Sequence, residues 1–581
     1  MSKSARLEWF KGERFPIILL FALAFTIRFM GGAWETKWDN DAYMARQAEQ
    51  IYSFGHPAVP DPFSSAPLYQ PGMAYLLAFV GWIIDLIPFK FTQSSMVISE
   101  GLAPPLLGAA TVLVIYWFAK TLFNKSAGVV AGLLASFSHF LIFRTMKGFV
   151  FHDALSLFLI LLTVVVAWNA LKMVENPFPS DFKNQSIYLA TILAPAILIG
   201  VTGFTWGGYF ILHAILIFYG LLLTVFILIQ RASMRGYKIY LLKKWAFICS
   251  TLLFGTIIAL ILYPVRGSSE ILRAAQMLRF AESPLVYKFT SDLMPPRLES
   301  FESLFGTLLV VGIALTAIGV YGLYKRDRKS GLYLLAALLA TMVPAVRAYH
   351  FMDMFSMFVY ISLGIGASFI LEGIARQELQ KTVWKKLAAV AVILIIVIAF
   401  VNPVIGSVNE VHYSDRYVTN PERKEAFLYI KNNTDAESLF INWWDYGNSL
   451  AYFAQRRSVI DQMYLPDEDV KAVSAVIVAT DPDKGLQIAR TLKQKHNSSE
   501  VYLMLFHYDA FLSSIMGYAV GYNLPSINES IRMTFDDNER LVGMNDLTNQ
   551  TTYYRLWTNQ SIGGYTPFYL SKEVKIYRLN V

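Results

Sequence analysis

Long apolar stretches alternate with short polar loops over the first 407 residues of the chain. A helix needs roughly 20 mostly apolar residues to cross a bilayer core, and about eleven stretches come close to that length. They are 15–33, 99–122, 127–144, 153–174, 186–204, 207–230, 244–264, 302–324, 331–346, 351–373 and 386–406. Segment 73–88 is also apolar, but Asp85 and Pro88 interrupt it, which predicts an interfacial or re-entrant segment. The pattern therefore predicts a polytopic α-helical membrane domain.

The pattern changes near residue 407, after which the chain is polar, rich in aromatic residues and of the size of one domain. Short apolar runs at 475–479 and 501–506 alternate with a helical stretch at 484–495, which predicts an α/β globular domain. We therefore expect a transmembrane domain at 1–407, with external loops 34–98 and 265–301. A soluble domain at 408–581 follows it.

Basic residues predict the orientation of these spans. Four of six alternate segments, counting the N-terminus, are dense in Lys and Arg, so we place this set in the cytoplasm. The soluble domain then lies on the external face of the plasma membrane. The first span follows Lys3, Arg6, Lys11 and Arg14 without a small-residue cleavage site, so we expect a membrane anchor rather than a removable signal.

Composition supports a membrane protein, because 55% of the 581 residues are hydrophobic and only 16% are charged. The net charge of +8 comes mostly from the basic loops, and no basic–aromatic array suggests nucleic acid. The single cysteine, Cys249, falls within a predicted span, so no intramolecular disulfide is expected.

The most informative motif is Trp443-Trp444-Asp445-Tyr446-Gly447 in the soluble domain. Two indoles can line a small apolar pocket, each with one N–H donor, while the carboxylate accepts hydrogen bonds. Such a pocket suits a small ligand with a hydroxyl group, because a site built around an OH rejects analogues that lack it. The alternative is a buried aromatic pair capped by an aspartate.

Acidic residues cluster in the loops that we assign to the external face. Asp41 follows the first span, the loop from Arg144 carries His152 and Asp153, and Asp292 lies in the long loop 265–301. Polar headgroup contacts, or a helix N-cap at Asp153, explain single cases equally well. Arg347 ends a predicted span, where it either binds an anion or reaches the headgroups.

A further helical motif follows in the soluble domain. Asp509, Leu512 and Met516 are spaced by three and four residues, which places them on one helical face. They either approach the tryptophan pocket or, for Met516, form ordinary core.

Together these motifs resemble the catalytic subunit of asparagine-linked oligosaccharyltransferases of the single-subunit archaeal or bacterial type. The resemblance implies thirteen spans in a GT-C-like glycosyltransferase architecture. It also implies that the Trp-Trp-Asp element holds the Ser or Thr two residues after the acceptor Asn, with Asp509 and Met516 beside it. Leu512 stands where the family carries Lys.

The same resemblance assigns the acidic residues. The order Asn-Asp-x-Tyr puts the essential carboxylate at Asp41. Counting from Gly148, the family's two acidic positions fall on Phe151 and Asp153, so Asp153 serves the metal alone or with His152, since imidazole also binds divalent transition metals. Asp292 replaces the usual Glu, and Arg347 faces the phosphate of the donor.

The function that the resemblance implies is transfer of a glycan en bloc from a polyprenyl or dolichyl phosphate or pyrophosphate to the Asn amide of Asn-x-Ser/Thr sequons. Asp41 and Asp292 would be catalytic, and Mn²⁺ or Mg²⁺ would be held by Asp41, Asp153, His152 and Asp292. The partners would be the lipid-linked oligosaccharide and the acceptor polypeptide.

Three alternatives remain from the sequence. Another polyprenyl-phosphate-sugar-dependent glycosyltransferase explains the acidic loops but not the tryptophan motif. A transporter or channel would place charged or broken helices near the membrane midplane. A non-catalytic peptide receptor would leave the acidic loops without a role.

Overall fold

The computed structural model describes residues 14–31, 39–58, 61–63, 71–88, 92–230, 237–263, 293–376, 420–507 and 546–581, together with shorter pieces of 387–406 and 509–544. The chain divides into two compact units. The first comprises Met1–Glu35, Gln70–Glu282 and Ser291–Asp415, and the second comprises Thr36–Tyr69, Ser283–Thr290 and Arg416–Val581.

The first unit is helical in its described part. Its helices are Arg14–Met30, Gly72–Asp85, Ser95–Leu122, Lys125–Ser136, His139–Phe143, Asp153–Met173, Phe182–Thr205, Phe210–Gln230, Tyr237–Leu262, Leu298–Phe305, Leu309–Arg326, Arg328–Ala345 and Met352–Arg376, with 3₁₀ turns at Gly207–Tyr209 and Tyr349–Phe351. Within the described residues, seven helices are long and apolar enough to cross a membrane, namely Ser95–Leu122, Asp153–Met173, Phe182–Thr205, Gly207–Gln230, Tyr237–Leu262, Leu309–Arg326 and Tyr349–Arg376. The prediction of a polytopic α-helical membrane domain is confirmed.

The other predicted spans differ in detail. The stretch 15–33 becomes the 17-residue helix Arg14–Met30. The prediction of a single helix at 127–144 was wrong, because the first helix ends at Ser136. Ser138 then caps a second, short helix by accepting a hydrogen bond from the Leu141 N–H. A hydroxyl oxygen that satisfies a backbone donor makes Ser a favourable start for a new helix.

Close packing between helices of the first unit depends on glycine. A Cβ built on Gly319 would lie 1.9 Å from the Ser362 carbonyl oxygen, and one on Gly366 would lie 2.1 Å from that of Leu315. The helices Leu309–Arg326 and Met352–Arg376 therefore approach each other backbone to backbone, as small residues allow in membrane proteins.

The second unit contains the α/β domain. Its helices are Asp39–Phe54, Pro421–Asn433, Gly447–Ser449, Asp467–Val478, Pro482–Lys495, Asp546–Gln550 and Thr552–Trp557, with a 3₁₀ turn at Trp444–Tyr446 and a π-helical turn at Leu450–Ala454. Its strands are β1 Leu439–Ile441, β2 Arg457–Ser458, β3 Val501–Phe506, β4 Met533–Phe535, β5 Leu541–Met544, β6 Tyr565–Leu570 and β7 Val574–Leu579. The predicted α/β character is confirmed.

Five strands form one sheet in the order β2-β1-β3-β7-β6. Strand β1 runs parallel to β2 and β3, whereas β7 is antiparallel to β3 and β6. All residues of β1 and β3 are buried, which explains why these strands read as continuous apolar runs rather than alternating ones.

The sequence assignments within this domain were partly right. The helix predicted at 484–495 and the strand at 501–506 are present. The apolar run 475–479 is not a strand, because it mostly belongs to the helix Asp467–Val478. Its first turn holds three acidic residues, which stabilise a helix N-terminus, and Val470, Val473 and Ile477 recur at helical spacing on the buried face.

The helix Asp39–Phe54 belongs to the second unit. It packs against the turns Gly447–Ser449 and Leu450–Ala454, and Tyr452 Oη donates a hydrogen bond to Glu49 Oε1 at 3.0 Å. Asp41 therefore lies on a helix and is fully buried, whereas the sequence placed it in an external loop outside a packed core.

Candidate functional site

The first candidate site is built on the turn between the helices His139–Phe143 and Asp153–Met173. Gly148 adopts a φ of 79°, a conformation that L side chains rarely accept. Arg28 anchors the turn, because its Nε donates to Thr145 Oγ1 at 2.7 Å and its carbonyl oxygen accepts the Lys147 N–H at 3.0 Å. These contacts fix the turn that carries Arg144 and His152.

His152, Asp153 and His350 bring three metal-ligating atoms within 4.8 Å of one another. The Nε2 atoms of His152 and His350 lie 3.6 Å and 3.8 Å from Asp153 Oδ1. Burial lowers the pKa of His152 to about 4, so its imidazole is neutral, as metal binding requires. Two imidazoles and one carboxylate form a donor set that suits divalent transition metals.

Arg144 ties this cluster to the helix Met352–Arg376. Its Nε donates to Asp353 Oδ2 at 3.0 Å, its Nη1 lies 3.5 Å from Asp153 Oδ2, and its Nη2 lies 3.4 Å from His350 Nδ1. The side chains of Arg144, Asp153 and Asp353 are almost completely buried, so each charge depends on the others for compensation.

The sequence motifs identified His152 and Asp153 as candidate ligands but did not identify His350 or Asp353. A signal was available, because Asp353 is an acidic residue at the start of an otherwise apolar span, where an ionisable group indicates function. Asp153 is not an N-cap, since His152 holds that position and Asp153 is the first helical residue.

The cluster leaves the roles of two other predicted residues open. Arg347 is exposed, one turn before the helix Met352–Arg376. Asp292 lies outside the described residues. Their roles remain predictions.

The second candidate site is the Trp443–Gly447 motif, which follows the end of β1. Trp443 is fully buried and its ring centroid lies 3.7 Å from that of Trp444. The Asn442 side chain donates to the Trp443 carbonyl oxygen at 2.8 Å and accepts from Ser458 Oγ at 2.9 Å, which fixes the turn against β2.

Asp445 keeps part of its surface accessible, unlike its neighbours in the motif. Gln462 Nε2 donates to Asp445 Oδ1 at 3.1 Å. Desolvation nevertheless raises the pKa of Asp445 to about 6, against the opposing effect of hydrogen bonds from Gln462 and Trp444. At neutral pH, Asp445 is therefore mainly a carboxylate that can accept a hydrogen bond from a ligand hydroxyl.

The loop that carries Gln462 packs directly on the motif. Asp461 Oδ1 accepts the N–H groups of Met463 and Tyr464 at 2.7 Å and 2.9 Å. A Cβ on Gly447 would lie 2.6 Å from both Asp461 Cβ and the Ile460 carbonyl oxygen. The glycine of the motif is thus required for the close approach of this loop. The sequence pattern did not identify Gln462 as a partner of Asp445.

The predicted partners of the motif, Asp509 and Met516, lie further along the same domain. Positions 509, 512 and 516 are helical. Asp509 is fully buried and its Oδ2 accepts the Phe506 N–H at 2.9 Å. Met516 is buried in the same core cluster as Trp443 and Trp444, so it also serves as core.

The family model for the N-terminal region of oligosaccharyl transferase STT3 matches residues 38–314. Among curated proteins, the chain is 21% identical over 445 residues to dolichyl-phosphooligosaccharide-protein glycotransferase 2 of Pyrococcus furiosus. This match covers 64% of the chain and 55% of the relative, so the chain aligns with just over half of that protein's length.

Solved structures of the Archaeoglobus fulgidus oligosaccharyltransferase have a similar fold. The complex with an inhibitory peptide and a dolichol-phosphate gives a TM-score of 0.73 at 15% identity, covering 97% of this chain and 80% of that one. The form tethered to an acceptor peptide containing the NVT sequon gives 0.71 at 16% identity, with the same 97% and 80% coverage. The complex with zinc and sulfate gives 0.68 at 15% identity, covering 96% and 79%.

The similar solved structures define the class of fold, which is a polytopic helical membrane unit with a C-terminal α/β unit. The resemblance to the catalytic subunit of oligosaccharyltransferases, which the sequence motifs suggested, is confirmed by the family match.

Proposed function

We propose that this protein is a lipid-linked oligosaccharide–protein glycosyltransferase. It transfers a glycan en bloc from a polyprenyl or dolichyl carrier to the side-chain amide of Asn in Asn-x-Ser/Thr sequons. The observation that carries the proposal is the Trp443–Gly447 turn, where a partly accessible carboxylate oriented by Gln462 stands beside two indoles in contact with each other. This arrangement fits a hydroxyl group at the +2 position of the acceptor, and the family match supplies the reaction class.

The acceptor amide is a poor nucleophile, because its nitrogen lone pair is delocalised into the carbonyl group. A carboxylate that accepts an amide N–H disfavours this conjugation, and we assign that role to Asp41, with Asp292 as the second predicted carboxylate. Arg347 is assigned to the donor phosphate, since a planar guanidinium is well suited to phosphate oxygens.

We assign the metal site to Asp153, His152 and His350. The donor set fits a divalent cation, and its imidazoles favour Mn²⁺ or another transition metal over Mg²⁺, which prefers oxygen ligands. When bound, such a cation stabilises the negative charge of the leaving phosphate. Arg144 would hold the carboxylate ligand in place, because it contacts Asp153 and also donates a hydrogen bond to Asp353.

We further place the protein in the plasma membrane with its α/β unit outside the cell. The basic loops support this orientation through the excess of Lys and Arg in cytoplasmic segments.

A transfer assay tests the proposed function directly. Purified protein is mixed with extracted lipid-linked oligosaccharides, Mn²⁺ and a fluorescent Asn-x-Thr peptide, and the product is identified by mass spectrometry. We expect a glycan on the Asn side chain and no product from the matched Asn-x-Ala peptide. Equal modification of both peptides, or a sugar on the Thr hydroxyl, would contradict the proposal.

A further inference from the structure

Asp509 and Asp445 are two carboxyl groups with different surroundings. Asp445 is partly accessible, whereas Asp509 is 0% exposed. Oδ2 of Asp509 accepts the Phe506 N–H, and among the described residues no group hydrogen-bonds to its buried Oδ1. One hydrogen bond does not compensate a buried carboxylate for the hydration that it loses. These surroundings therefore favour the neutral acid.

Charged and titratable groups reach this region from several elements. Asp445 and Tyr446 belong to the motif, and Tyr446 stacks on Phe506 with ring centroids 3.5 Å apart. From the helix Pro421–Asn433, the Arg423 guanidinium lies 5.7 Å from the Tyr446 ring, but it also pairs with Glu573 at 3.3 Å.

Within the described residues, the remaining neighbours add no cation that pairs with Asp509. Tyr553 Oη donates to the Phe506 carbonyl oxygen at 3.0 Å, and the His507 ring lies 5.9 Å from the Trp557 ring, centroid to centroid. Leu512, one turn after Asp509, carries no charge. Burial is the largest effect on the pKa of Asp509 and raises it to about 8, with Asp445 adding to the rise and Arg423 opposing it.

We propose that Asp509 is a positioning residue that serves the acceptor pocket as a neutral carboxylic acid, leaving Asp445 as its single negative charge. The inference rests on the proposed function, in which the motif binds the acceptor hydroxyl. Two like charges in one apolar enclosure repel each other and lose hydration. Ionisation of Asp509 therefore disfavours the form of the pocket in which the Asp445 carboxylate accepts a hydrogen bond from the acceptor hydroxyl.

The hydrogen bond from Phe506 makes Asp509→Asn an informative substitution. Because the backbone N–H requires an oxygen at the Oδ2 position, the Asn side-chain NH₂ occupies the Oδ1 position, where the neutral acid carries its proton. Asn therefore imitates the neutral acid but cannot ionise. A residue required as a carboxylate would lose its function in the same variant.

Peptide binding is measured from pH 7 to pH 9 with a blocked Asn-x-Thr peptide and the full-length protein. A pKa of about 8 leaves about nine-tenths of Asp509 neutral at pH 7 and about one-tenth at pH 9, so wild-type affinity falls about tenfold. Asp509→Asn keeps the pH 7 affinity and retains it at pH 9. Loss of affinity in a folded Asp509→Asn protein, or a flat wild-type profile, overturns the inference.

A second measurement does not depend on peptide. The folded chain holds the Asp509 proton up to a pH of about 8, but the unfolded chain releases it near pH 4. The stability that this group contributes is complete below pH 4 and declines as the pH rises toward 8. Asp509→Asn should therefore gain melting temperature relative to wild type between pH 5 and pH 8, whereas Asp435→Asn, at an exposed position, controls for the lost charge.

These two measurements separate the inference from the proposed function. Wild-type protein that shows no preference for Asn-x-Thr over Asn-x-Ala at pH 7 contradicts the acceptor pocket. The stability comparison still reports the protonation of Asp509 in that case. An Asp509→Asn difference that does not grow with pH overturns the inference whatever the peptide result.

Discussion

At the scale of single residues, the acceptor pocket depends on the charge of Asp445. Burial raises its pKa to about 6, so the carboxylate form falls to about one-tenth at pH 5. We expect the affinity for an Asn-x-Thr peptide to fall about tenfold when the pH is lowered from 7 to 5. The Asp445→Asn variant should bind the peptide weakly at both pH values. Isothermal titration with a blocked peptide measures this, and an unchanged affinity in Asp445→Asn would show that the motif is structural.

The same pocket should discriminate between acceptor peptides. A missing hydroxyl leaves buried polar groups unpaired, which can reduce specificity constants by about 10⁴-fold. A methyl contact is worth only about 1 kcal/mol. Asn-x-Thr should therefore be modestly better than Asn-x-Ser, and Asn-x-Val should be almost inert. Comparable kcat/KM for Thr and Val peptides would exclude hydroxyl recognition.

Asp41 is a different case, because its burial on a helix changes the expected control. Asp41→Asn removes the charge with almost no change in volume, and we expect a loss of transfer of about 10²-fold or more, as for catalytic acid–base groups. Since the residue is fully buried, the melting temperature must be measured beside activity. A folded variant with near-wild-type transfer removes Asp41 from the catalytic machinery.

At the scale of secondary-structure elements, the metal site joins a turn, a helix start and a 3₁₀ turn. His350→Ala should weaken Mn²⁺ affinity by at least about tenfold, because one of three neighbouring donors is lost. His213→Ala is the matched control, since His213 lies on another helix and bonds Thr256 at 2.9 Å. Electron paramagnetic resonance of Mn²⁺ measures binding without substrate, and equal affinities in both variants would exclude His350.

The sequence predicted helices and strands better than the contacts between residues that are far apart in the chain. Apolar length identified the spans, and the continuous apolar run 501–506 identified β3. Asp153 was found from its motif, but His350 is about 200 residues away along the chain, and only helix packing brings it within 3.8 Å. Gln462 was missed for the same reason, since its contact with Asp445 depends on the close approach of a loop to Gly447.

Local patterns also failed where burial overrode them. Asp41 follows an apolar span and was assigned to a loop, because acidic residues there are usually solvated. The Asp39–Phe54 helix instead buries the residue, while Arg46 and Asp61 form a buried ion pair further along the same segment. Sequence alone does not reveal that Glu49 meets Tyr452 more than 400 residues later.

At the scale of the whole molecule, the basic loops predict which side of the membrane each segment occupies. The chain has a single cysteine, Cys249, so Cys249→Ser gives a background in which new cysteines report location. Lys484 is exposed on the helix Pro482–Lys495. Lys238 is exposed in the first turn of the helix Tyr237–Leu262. In intact cells, a membrane-impermeant maleimide should label Lys484→Cys at once but Lys238→Cys only after permeabilisation. Labelling in the reverse order would invert the topology, and with it the external location proposed for the α/β unit.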